Sequence, residues 1–111
     1  MKTLTSMIEH KKKQKEFFFE TALSEVSNAQ EKFPDPSGNM AALMEEVGEL
    51  AKAMLEEPQE NVWIEAFQVA AMACRIACEG DPTLDSVRAI NLEKSRRWNV
   101  SNACDDRHKD Y

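Results

Sequence analysis

Apolar positions recur along most of this chain with the period of a helix. Phe18, Ala22, Val26, Ala29 and Phe33 are spaced three or four apart, which places them on one face of an α-helix. Met40, Leu43, Met44, Val47, Leu50, Ala51 and Met54 form a second such stripe. From Val62 to Cys78 nearly every position is apolar, so a third helix should be covered on most sides. Cys74 and Cys78, four apart in that run, read as small core residues. Prolines and glycines divide these stretches: Phe33-Pro34-Asp35-Pro36-Ser37-Gly38, then Pro58, then Glu79-Gly80-Asp81-Pro82. In the last break Gly80 suits a helix end, Asp81 an N-cap and Pro82 a first turn. The pattern predicts four helices, at 5–32, 38–56, 59–79 and 82–98, followed by a polar tail. The segment EHKKKQK inside the first reads as a solvated extension.

Composition supports helices and argues against a self-sufficient core. Ala and Met raise the apolar fraction of the 111 residues to 42%, β-branched residues are few, and only three glycines interrupt the backbone. Leu, Ile, Val and Phe number only 22, so a chain of this length buries little apolar area alone. The expected fold is all-α, a single domain over 1–111, with a bundle of about four helices completed by oligomerisation.

Charge changes the picture in one region. The net charge is −6, but residues 34–80 carry nine acidic and two basic groups, while the flanking thirds are near balance. A nucleic-acid binder usually has the opposite sign, so no nucleic acid is expected as partner. No stretch approaches the roughly 20 apolar residues of a membrane span. The N-terminal MKTLTSMIEHKKKQK lacks a secretory h-region. The three cysteines have no framework spacing, which suggests reduced thiols and a cytoplasmic location. Neither histidine stands at zinc-ligand spacing from a cysteine.

The acidic excess is concentrated on two helices. At about 100° per residue, Glu45, Glu49 and Glu46 fan over roughly 0°, 40° and 100° of the second helix, away from its apolar stripe. Such a face is ordinary in water and useful around a divalent cation; both readings stand. On the third helix Glu65 and Gln68 are polar and three apart inside an apolar run, with Arg75 and Glu79 continuing their stripe. A covered helix must give such groups partners. An antiparallel hairpin across Pro58 would bring the acidic face of the second helix to them. Four or five hard oxygen ligands without His or Cys favour Mg²⁺, or Mn²⁺, over zinc.

Glu45-Glu46-Val47-Gly48-Glu49 resembles the EExxE signature of the MazG-like all-α nucleoside triphosphate pyrophosphohydrolases. Glu65-Ala66-Phe67-Gln68 stands where that family has ExxD, with Gln68 in place of the Asp. Residues 86–98, SVRAINLEKSRRW, resemble its basic, Asn-containing last helix. The resemblance covers about residues 17–98. It implies Mg²⁺-dependent conversion of a nucleoside triphosphate to monophosphate and pyrophosphate in a homodimer or homotetramer. By motif position Glu46, Glu49 and Glu65 would be metal ligands, with Gln68 beside them, and Glu45 a further ligand or the group that orients water. Asn91, Lys94 and Arg97 would reach phosphate oxygens, or form a solvated basic face. Trp63 and Trp98 are each open to two readings, a base-stacking surface or a core or interface aromatic. The alternative is a relative with weak or no activity, acting as a nucleotide- or metal-binding or helical interaction protein.

Overall fold

Each predicted segment is helical in the computed structural model, which describes residues 3–101. Helix α1 spans Leu4–Lys32, α2 Asn39–Glu56 and α3 Gln59–Glu79; a 3-10 turn at Pro82–Leu84 leads into α4, Asp85–Ser101. There is no strand among the described residues, and none of their helices is long and apolar enough to cross a membrane. The tail from residue 102, with Cys104, lies outside the described residues.

The ends of the helices follow from local chemistry. Thr3 caps α1, its hydroxyl accepting the Ser6 N–H at 3.1 Å. Gly38 turns into α2 with φ of 86°, a left-handed conformation that disfavours a side chain. It has no side chain to cap the helix, so the cap comes from across the fold. Asp81 accepts the N–H of Gly38 on Oδ1 and that of Met40 on Oδ2, at 3.1 and 3.0 Å. Buried Asn39 donates in turn to the Gly80 carbonyl at 3.0 Å. The sequence suggested Asp81 as N-cap of its own following helix; these bonds give its carboxylate a role at the start of α2. They are available because Gly80, at φ 69°, ends α3 and swings Asp81 back.

Residues up to Asp81 form one compact unit and those from Pro82 another. In the first, α2 and α3 pack as a hairpin across Glu57 and Pro58, and α1 lies along α3. The pairings Phe18 with Phe67, Glu25 with Gln68 and Gln30 with Glu79 run in the same order along both chains, so α1 and α3 are parallel. Phe17, Phe18, Trp63 and Phe67 form an aromatic cluster with centroids 5.3–6.2 Å apart. Trp63 is therefore a packing aromatic of the α1–α3 seam. Further along, Arg75 is 3% exposed. It binds Glu79 at 2.8 Å and donates to the carbonyl of Phe33 at 2.7 Å and that of Ala29 at 3.5 Å.

The apolar stripe of α2 divides on folding: Leu43 and Leu50 are half-buried, while Met40, Met44, Val47, Ala51 and Met54 are exposed. The line facing α3 runs instead through Asn39, Glu46 and Ala53, where small and polar side chains admit a close helix pair. Cys74 and Cys78 were read as core and are exposed. Both lie on a flank of α3 that neither α1 nor α2 covers. Among the described residues the buried hydrophobic ones are Ala22, Val26, Ala53 and Ala71. The extension around Lys11–Lys15 is exposed, as its composition suggests.

In the second unit α4 is exposed along most of its length. Its Glu93 accepts from Arg96 at 2.7 Å and Arg97 at 3.0 Å, which holds the Glu93 carboxyl below the usual carboxylate range.

Candidate metal centre

The α2–α3 hairpin brings acidic residues of the two helices together. Glu46 points along the line between the helices, Glu49 follows it by about one turn, and Glu65 rises from α3 opposite them. One carboxylate oxygen from each lies within 4.8 Å of the other two. Glu46 and Glu65 are half-buried and Glu49 is exposed, so the group is open to solvent on one side only.

The electrostatics are those of a site short of positive charge. Burial pushes the Glu46 carboxyl up to about 7, with the charges of Glu49, Glu65 and Glu45 and a hydrogen bond to Glu65 adding to the effect. Glu65 is raised as well, by burial first and then by Glu49. Oε2 of Glu46 is buried and has no hydrogen-bond partner. A buried lone pair left unmatched is costly. No Lys, Arg or His is paired with any of the three carboxylates among the described residues. A divalent cation fits this donor set: three hard carboxylates, one with an orphaned oxygen, and no sulfur or imidazole.

The other sequence-derived candidates divide. Glu45 is exposed on the same flank of α2, close enough to raise Glu46. Gln68 is half-buried, and its Nε2 donates to Glu25 on α1 at 3.1 Å. Asn91, Lys94 and Arg97 belong to α4, in the second unit, where all three are exposed and Arg97 binds Glu93. Glu25 was not singled out from sequence, although it falls between Ala22 and Ala29 on an apolar stripe, where an acid is out of pattern. Glu57 was missed too. It accepts from Asn61 at 2.8 Å and its charge raises Glu65.

Compared with protein-family models, curated proteins and solved structures, the chain matches none.

Proposed function

We propose that the chain is a Mg²⁺-dependent nucleotide pyrophosphohydrolase of the MazG-like kind, which splits a nucleoside triphosphate into monophosphate and pyrophosphate and works as a homo-oligomer. The observation that carries this reading is the meeting of Glu46, Glu49 and Glu65 within 4.8 Å around a buried, unpartnered oxygen. Glu46 and Glu49 come from the EExxE run and Glu65 from the first position of the second motif. Those three carboxylates would hold the cation, with Mn²⁺ able to replace Mg²⁺. The bound ion supplies positive charge for the triphosphate and for the leaving pyrophosphate. Without it, six carboxyl oxygens facing a polyanion would repel it. Glu45, exposed beside the group, orients the attacking water and takes its proton. Gln68, fixed by Glu25, holds the side of the site where the family has an Asp.

The engagement of Gln68 with Glu25 favours one second reading, a relative that binds metal and nucleotide without turnover. Pyrophosphate release measured with Mg²⁺ over the eight common ribo- and deoxynucleoside triphosphates separates the two. Release from at least one of them, reduced by roughly 100-fold or more in Glu49→Gln, supports the enzyme. Because Glu49 is exposed, this variant should keep its helical fold, read by circular dichroism. Metal-dependent nucleotide binding with no release selects the second reading. Release that is unchanged in Glu49→Gln removes the site assignment.

A further inference from the structure

Among the acids of α1, Glu25 alone is not exposed; it stands half-buried between Ala22 and Ala29 on the side that meets α3. Its carboxylate accepts from Nε2 of half-buried Gln68 at 3.1 Å. Gln68 is about one helical turn beyond Glu65, so the two side chains leave α3 on the same face. The bond fixes more than the place of Gln68. A primary amide has two unlike ends, a donor nitrogen and an acceptor oxygen, and a half-turn of its plane exchanges them. An ionised carboxylate only accepts, so it bonds to the nitrogen end and repels the oxygen end. With Nε2 held by α1, Oε1 is the end with bonding capacity to spare, and no described residue donates a hydrogen bond to it. A glutamine at position 25 would accept either end.

We infer that Glu25 is a positioning residue of the proposed metal centre: it turns the Gln68 amide so that Oε1 serves as a neutral oxygen ligand to the cation held by Glu46, Glu49 and Glu65. The inference rests on the metal reading proposed above, and it holds whether or not a bound nucleotide turns over. To that reading it adds a residue from α1, which supplies none of the three carboxylates. It accounts for two features of the chain. A half-buried acid on an apolar stripe is out of pattern, and this one bonds to the amide next along the face from Glu65. The same bond makes an amide workable as a ligand. A carboxylate has two equivalent oxygens and no wrong end. An amide coordinates Mg²⁺ or Mn²⁺ through its oxygen, so it needs a partner that selects the orientation. Partners of this kind, one bond behind a ligand, change metal affinity by roughly 10- to 100-fold when removed.

Calorimetric titration of the whole protein with Mn²⁺ alone, without nucleotide, tests this through a double-mutant cycle of Glu25→Ala and Gln68→Leu. Each single substitution should weaken Mn²⁺ binding by roughly 10-fold or more. The double variant should bind no more weakly than Gln68→Leu, because Glu25 acts through Gln68 and has nothing left to orient. Charge alone would behave differently, since removing the Glu25 carboxylate would then cost the same in both backgrounds. Circular dichroism checks that the variants keep their helices, for which alanine at position 25 is well suited. A second measurement needs only the parent protein. In NMR of carbon-labelled glutamine, the side-chain carbonyl of Gln68 should shift when Mg²⁺ is added, and those of Gln14, Gln30 and Gln59 should not. Parent affinity in Glu25→Ala, additive losses in the double variant, or a Gln68 signal that ignores Mg²⁺ would each overturn the inference and leave the three carboxylates as the site. A parent protein that binds no Mn²⁺ would remove the metal reading itself, and the inference with it.

Discussion

Glu46 is the residue where fold and proposed chemistry meet most directly. It stands on the packed line of α2, yet it is a carboxylate, and burial with three neighbouring acids raises it to about 7 from 4.5. Between those values the folded chain holds more protons than the unfolded chain. The corresponding stability is complete below about pH 4.5 and is lost as pH rises through 7. Glu65 is shifted in the same direction. In chelator the melting temperature should therefore fall between pH 5.5 and pH 8. Millimolar Mg²⁺ or Mn²⁺ at pH 8 should restore it, since the cation replaces the proton. Melts that do not change with pH, or that ignore the cation, would contradict the site. Gln68 gives a second test at this scale. Gln68→Asp removes the donor to Glu25 at 3.1 Å and sets two carboxylates against each other. Without metal it should destabilise by about 1–3 kcal/mol. In calorimetry the added anionic ligand should tighten Mn²⁺ binding; unchanged binding would place Gln68 outside the site's reach.

At the level of elements, Arg75 ties α1 to α3 at the end of the seam away from the aromatic cluster. Arg75→Met keeps much of the stem but abandons the Phe33 and Ala29 carbonyls and leaves Glu79 without its partner. Glu79 is 23% exposed and partly rehydrates, so the expected cost is about 2–3 kcal/mol, measured by urea unfolding. Asp81→Ala removes the cap on α2 and should cost about 1 kcal/mol. These elements were legible in the sequence as helices, because Pro34, Pro36, Pro58 and Pro82 set their limits and the 3.6-residue period filled them in. Glu46, Glu49 and Glu65 were legible as a converging group, because a hairpin across Pro58 leaves few other arrangements. What periodicity does not encode is which stripe faces inwards within one chain. The methionines of α2 and the cysteines of α3 have the pattern of a core and are exposed. The α3-facing line of α2 carries Asn39 and Glu46, whose polarity argued for the surface. The bonds of Asp81 to the start of α2 were not legible either: its two acceptors suit any nearby helix start, and periodicity does not encode the turn at Gly80 that brings them to α2.

At a larger scale, the buried hydrophobic residues among those described are three alanines and a valine, and alanine removes few methylene groups from water. Exposed Met40, Met44, Val47 and Met54 would each contribute on the order of 1.5–3 kcal/mol if covered. If copies of the chain supply that cover, folding and association are one process, and stability depends on protein concentration. For a dimer, dilution by 100-fold removes about 2.7 kcal/mol. At roughly 2–4 °C per kcal/mol for a cooperative unit of this size, the melting temperature should fall by about 5–10 °C. Circular dichroism melts at 1 and 100 µM measure this directly. Met44→Arg should melt lower at both concentrations and show little dependence on dilution, because the equilibrium that carried the dependence has been removed. A parent protein whose melting temperature is the same at both concentrations would mean that one chain folds unaided, in spite of its alanine core.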